Sequence, residues 1–308
     1  MTSKEIFDLA KKNPDKRKEL AKQIRSPSIA FLWAKKWPED KDIMRDKINT
    51  LMAAFDWIKK WPEDKDIMRD RITRSEWAFE WAWKWPEDRY IMVDRINEAL
   101  WAYHFAKRWP EDRQMVQDRI NDSWWAFKWA LTFPEDKHIM RDRIQRAGEA
   151  YCWACEWPED RHIMRDRVTE SEWAYEWAND FPEDKHIMRD RINESEWAYW
   201  WARQWPEDRD IMRDRINESG WAYEWAEHWR KDRPVMREKI EDPEVAIFWA
   251  EKWPKDKRIM KKRIKDPKWA LTWIKNIGPD PDLIEICKKN KKIYKRVLEL
   301  ILQGDRRR

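Results

Sequence analysis

The sequence predicts an all-α solenoid, curved or superhelical, of about twelve stacked helical hairpins of 24 residues each, and three observations carry that prediction. Units starting at Asn13, Trp37, Trp61, Trp85, Trp109, Phe133, Trp157, Phe181, Trp205, Trp229 and Trp253 align without a gap through Asn276, and a fixed period of this size marks a stacked repeat. Most units open with Trp-Pro-Glu-Asp or a close variant, which starts a helix. Finally, 28 tryptophans recur with alanine at helical spacing. They supply a core to a chain whose 41% charged residues and mean hydropathy of −1.07 would alone suggest disorder.

Trp205–His228 shows the logic of one unit. Pro206 suits a first helical turn, where its missing N–H is not needed, and Glu207 and Asp208 oppose the positive end of the helix dipole. This arm runs to about Asn217. Asn217, Glu218 or Ser219 caps the second arm, and Asn193 with Glu196 and Thr169 with Glu172 have capping-box spacing. Where Ser26–Pro27, Asp242–Pro243 and Asp266–Pro267 replace these, a cap residue plus proline gives the same instruction. The second arm stops before the next Trp-Pro, because a residue preceding proline leaves the α region. Trp221, Ala222, Tyr223, Trp225 and Ala226 cover an arc of roughly 200°, too wide for one neighbour. On the first arm Ile211, Met212 and Ile216 form the apolar edge, which a lone hairpin this short cannot hide.

Asp208 and Arg215 fall inside that edge, and both recur. The aspartate column runs from Asp40 to Asp256; the other holds Arg71, Arg95, Arg119, Arg143, Arg167, Arg191 and Arg215, with Lys47, Lys239 and Arg263 completing it. A half-buried charge costs several kcal/mol unless paired. The first reading is an Asp–Arg ladder from unit to unit, its carboxylates also accepting indole N–H groups. The second is an arginine row lining a groove for anions.

Taken in order, residues 1–12 form an N-terminal half-repeat with Ile6, Phe7, Leu9 and Ala10 in second-arm register, and residues 13–276 hold eleven repeats. The unit at Trp229 loses its proline to Arg230 and gains Pro234, predicting a kink or a shorter arm. Residues 277–303 are a degenerate repeat and a capping helix over Lys291–Leu302, with Asp280 continuing the aspartate column and Ile293, Val297, Leu298 and Ile301 on one side. Residues 304–308 are a basic tail. Proline falls mainly at hairpin starts, so no flexible linker is expected and the repeats read as one domain. No apolar stretch approaches a membrane span.

The net charge of +5 hides a pattern: residues 61–228 carry −12, residues 1–60 carry +6 and residues 229–308 carry +11. A groove following a phosphate backbone along its whole length would be basic throughout. The ends offer their own basic clusters, notably Lys261, Lys262 and Arg263. Cys152 and Cys155 sit one helical turn apart without a second ligand pair, so the reading is a reduced cytoplasmic chain with no metal and no cofactor. His138, His162 and His186 share one surface register. A catalytic site needs a unique constellation, whereas this chain repeats one set of residues, and the reading is no enzyme. The tryptophan columns at 77, 101, 125, 173, 197 and 221, and at 81, 129, 153, 177, 201 and 225, read first as core and second as stacking surface. A third column at the hairpin starts, with Trp205, plugs the space between units. Trp83, Trp124 and Trp200 replace polar residues and are expected to be exposed, which points to contact with a partner.

At Asp208, Arg209, Ile211 and Met212, then Ala222, Tyr223, Trp225 and Ala226, the units resemble an uncharacterised family of short tandem helical repeats known mainly from protists and giant viruses. Its units pair a D-(K/R)-x-(I/V)-(V/M) helix with an A-L-x-Y-A helix. The resemblance spans Asn13–Asn276, while the Trp-Pro-Glu-Asp opening and the tryptophan content depart from it. It implies a helical repeat fold and no known activity.

These features predict a binding scaffold whose partner is a protein or peptide held on a concave surface, the acidic centre suiting a basic one. Nucleic acid or a phosphorylated ligand, held by the basic ends or the arginine row, is the alternative. A third is a small molecule held in an aromatic-lined channel. No membrane partner is expected.

Overall fold

Each repeat begins where the preceding helix is made to stop. In the computed structural model, which describes residues 1–305 and side chains through Leu302, Trp205 takes φ −125° and ψ 83° before Pro206 while its N–H still reaches Trp201 O at 2.8 Å. Pro206–Asp208 then forms one 3-10 turn, closed by Asp208 N–H to Trp205 O at 3.1 Å. A short α-helix follows over Arg209–Arg215, and the second arm is Ser219–His228. The described residues are helices and loops with no strand, arranged as an all-α repeat. The chain divides into two compact units, Met1–Glu149 and Ala150–Arg308, where the sequence suggested one domain. Within each, hairpins of this kind stack on their neighbours in sequence. The side chains of the expected basic tail at 304–308 lie outside the described residues.

Inside the hairpin, burial follows the apolar arc with one correction. Met212, Ile216, Ala222, Trp225 and Ala226 are fully buried, but Ile211 is 40% exposed. Its column is half-buried to exposed along the repeats, whereas Asp208 is buried. Pro234 makes no kink: the α-helical part of its arm starts at Arg233, so the proline lies in a first turn where no N–H is required. The unit at Trp109 differs most, its first arm running entirely as 3-10 turns over Pro110–Met115 and Gln117–Arg119.

Three couplings join neighbouring hairpins, the third only where serine opens the second arm, and each corrects the sequence reading. The first is the aspartate. Asp208 Oδ2 accepts the Trp201 indole N–H at 3.0 Å, as foreseen, but its cations are Lys185 at 3.4 Å and Arg189 at 3.4 Å from the preceding unit, not the Arg215 column. The expected ladder therefore exists with different rungs, because Arg189 projects from the facing turn of the adjacent arm. Burial alone raises the Asp208 carboxyl; the indole N–H, Lys185 and Arg189 outweigh it and hold the group below its ordinary 3.8. Asp64 and Asp88 are held down in the same way, by Trp57 with Lys41 and Arg45 and by Trp81 with Lys65 and Arg69.

The Arg215 column has its own task. Arg215 Nη1 donates to Arg189 O and, at 2.6 Å, to Ile192 O, two carbonyls at the C-terminus of the preceding first arm, of which the first also accepts Ile192 N–H. Lys239 does the same with Arg213 O at 2.8 Å and Ile216 O at 2.6 Å. The third coupling replaces the expected caps. Glu194 and Glu218, not Asn193 or Asn217, stand at the N-cap, and neither makes a side-chain cap. Glu170 likewise holds the N-cap where Thr169 and Glu172 suggested a capping box. Instead, Ser195 Oγ accepts from Asn217 N at 2.9 Å and Glu218 N at 3.2 Å in the next unit, and Ser171 does so from Asn193 N and Glu194 N. The Asp-Pro caps do form at Asp242 and Asp266, whereas Ser26 makes none.

Both ends are closed as hairpins cannot be. Ser3–Lys12 is capped by a Thr2–Glu5 box, with Ile6 and Ala10 buried and Leu9 36% exposed. At the other end the helix Pro281–Lys288 precedes a longer one over Lys291–Asp305, which buries Val297 but leaves Leu298 42% exposed rather than on the packed side.

Candidate functional site

The second arms carry two tryptophan registers with opposite fates. Trp33, Trp57, Trp81, Trp129, Trp153, Trp177, Trp201, Trp225 and Trp249 are fully buried. Half-buried Trp77, Trp101, Trp125, Trp173, Trp197 and Trp221 form the other register, each keeping part of its ring at the surface. The hairpin-start column packs against the buried one: Trp205 lies 4.2 Å from Trp201 and meets Tyr175 edge-on at 5.6 Å, filling the step between units.

The three tryptophans outside the pattern are exposed, Trp83 by 54%, Trp124 by 43% and Trp200 by 37%. Each is met by a cation of its own chain: Arg108 at 5.1 Å from Trp83, Lys128 at 4.6 Å from Trp124 and Arg203 at 5.0 Å from Trp200. Trp200 also lines a cavity of about 530 Å³ between the helices Ser195–Gln204 and Ser219–His228. Tyr199 forms its floor, with ring centroids 5.4 Å from both Trp200 and Trp221. The carboxylates of Glu218 and Glu224 stand at its edge. Gly220 keeps the mouth clear, since a Cβ there would meet nothing within 4 Å, while Glu196 holds the same register one unit earlier. Sequence reasoning named Trp200 and, as part of a repeating column, Trp221; it missed Tyr199, Glu218 and Glu224 as lining, although Gly220, one of four glycines, was a visible signal.

The arginine column is placed differently. Arg71, Arg95, Arg119, Arg143, Arg167, Arg191 and Arg215 are all half-buried. Nη1 of Arg71, Arg95, Arg119, Arg143 and Arg191 reaches carbonyls of the preceding first arm, such as Ile48 O, Ile72 O, Ile96 O, Ile120 O and Val168 O, just as Arg215 does. Donors so engaged are not aimed at a ligand. In the basic cluster, Lys261 Nζ binds Asp280 at 3.0 Å and Asp282 at 2.7 Å, Lys262 is exposed, and Arg263 Nη2 reaches Glu238 O at 3.4 Å.

Cys152 is half-buried, Cys155 exposed and Cys287 buried, and His138, His162 and His186 lie exposed. Among the described residues no group of three or more His, Cys, Asp or Glu could hold a metal ion, and no helix is long and apolar enough to cross a membrane. No family model, curated protein or solved structure matches the chain.

Proposed function

We propose that the chain is a non-catalytic repeat scaffold that captures a basic segment of a protein or peptide at the aromatic cavity of its second compact unit. The observation that carries this reading is the convergence of Tyr199, Trp200 and Trp221 with Glu218 and Glu224 around one open space of about 530 Å³. Aromatic faces attract a cation through their quadrupole, and neighbouring carboxylates add an ionic partner at the rim. Arg203, already 5.0 Å from the Trp200 ring, supports the idea that this surface suits a guanidinium or ammonium group. The −12 charge over residues 61–228 favours encounter with basic partners.

The test is calorimetry of the full chain with a Lys/Arg-rich peptide at physiological salt. Trp200→Ala and Glu224→Gln each weaken binding at least about tenfold without altering the melting curve, roughly the 1.4 kcal/mol of one good cation–π or ionic contact. Arg203→Ala removes the competing cation and tightens it. If the peptide does not bind while a single-stranded oligonucleotide does, with steep salt dependence, the nucleic-acid alternative replaces this one.

A further inference from the structure

One joint between hairpins is built on the same register as the others but is missing its acceptor. Lys257, Lys261 and Trp273 stand at the positions that Lys185, Arg189 and Trp201 hold three units earlier, where all converge on the Asp208 carboxylate. Asp280 occupies the matching aspartate position, yet its surroundings differ. The Trp-Pro corner has become Ile277-Gly278-Pro279, and Ile277 stays in the helical region at φ −108° and ψ −32°. Gly278 then takes φ +122°, a conformation that an L side chain rarely adopts. No 3-10 turn forms. Asp280 becomes instead the N-cap of Pro281–Lys288, accepting from Asp282 N at 3.0 Å and Leu283 N at 3.4 Å.

Asp280 keeps Lys261 at 3.0 Å but leaves the indole behind. Trp273 is only 3% exposed, and among the described residues its N–H meets no acceptor, whereas nine tryptophans at this register each donate to an aspartate. Lys257 likewise has no carboxylate, unlike Lys41, Lys65 or Lys185. These two unpaired donors, with Arg258 and Lys261, line a cavity of about 590 Å³ that also touches Gly278 and Asp280. The Trp273 indole lines this cavity, where its N–H is open to an acceptor entering from solvent.

We propose that this cavity is a carboxylate-binding site, in which an external carboxylate takes the place that an aspartate side chain fills in the other joints. The chemistry is chosen by precedent within the chain, since the same indole and lysine positions hold a carboxylate repeatedly. The ligand is an acidic side chain of a partner or a small organic acid. This site is independent of the cavity at Trp200.

The experiment follows the indole N–H resonances of the full chain in ¹⁵N–¹H spectra, with Trp273 assigned through Trp273→Phe, as sodium acetate replaces sodium chloride at constant ionic strength. The expected result is a saturable shift of the Trp273 resonance while the Trp201 resonance, already bonded to Asp208, stays still. Lys257→Ala weakens the response at least tenfold with the other indole signals unchanged. An Asp-rich peptide in place of acetate, producing the same shift at lower concentration, supports a macromolecular source; acetate alone acting supports a small acid. Absence of a saturable shift, or an unchanged response in Lys257→Ala, overturns the site. Inorganic phosphate binding at least tenfold more tightly than acetate overturns the carboxylate assignment.

Discussion

The step between the hairpins at Phe181 and Trp205 and the step at the end of the helix Pro267–Asn276 use almost the same residues to opposite effect. In the first, a 3-10 turn opened by the proline after the tryptophan brings Asp208 to the Trp201 indole, where it is 6% exposed. In the second, glycine takes that position and proline moves one place on; Ile277, the C-cap after Asn276, keeps a helical conformation, no 3-10 turn follows, and the carboxylate of Asp280 caps the next helix. The 3-10 turn, which also forms over Arg230–Asp232 where no proline is present, thus decides whether the acid, the indole and the lysine meet. That turn places the aspartate, and the aspartate joins the repeats.

The largest effect expected from this contrast is on acid stability, because it acts on many joints at once. Asp64, Asp88 and Asp208 have folded values held below the ordinary 3.8, so their contribution is complete above that pH and is lost as pH falls through the lowered values. Denaturation curves should show constant stability from neutrality to about pH 5 and a steep decline below about pH 4. A flat profile to pH 2 would remove the carboxylates from the account.

Next comes a paired substitution. Asp208→Asn takes the buried anion from Lys185 and Arg189, which keep only the exposed Glu207 and Asp190, and should cost about 3 kcal/mol in urea unfolding. Asp280→Asn, where asparagine caps a helix as well as aspartate does, should cost under about 1 kcal/mol. Equal losses would mean that the two joints are energetically alike. Arg215→Ala should cost about 2 kcal/mol by removing the donor from the carbonyls of Ile192 and Arg189, the second of which keeps Ile192 N–H, with Arg215→Lys largely restoring stability, since Lys239 performs that task already. Smallest is the indole: Trp201→Phe should cost about 1–2 kcal/mol, Trp273→Phe less, because only the first loses a hydrogen bond. Phe105 is the chain's own version of that change, and the adjacent Asp112 is the one member of its column from Asp40 to Asp256 that is not fully buried.

The repeat, its arms and its fully buried tryptophans were legible because a 24-residue period and helical spacing are properties of sequence alone. The partners of charged residues were not. Asp208 lies 17–23 residues from Arg191 and Lys185 along the chain, and which of them approaches depends on the rotation of one arm against its neighbour, which periodicity leaves free. The serine caps were hidden for the same reason, since Ser195 reads as a local cap and serves the next hairpin instead. Trp200 was visible as an intruder in its column, but Tyr199, Trp221 and Gly220 took on meaning only once adjacent second arms were side by side. The open joint at Trp273 was masked by Asp280 itself, which keeps its register while its side chain turns away.

All three couplings run between hairpins, so the central claim is that a single hairpin has little to hold it. Circular dichroism and urea unfolding of fragments from the second compact unit test this directly: the 24-residue peptide 205–228, then 181–228, then 157–252. The peptide alone should be largely coil and stability should climb with each added hairpin, as nearest-neighbour coupling requires. A well-folded 205–228, or equal stability per residue in all three fragments, would contradict it.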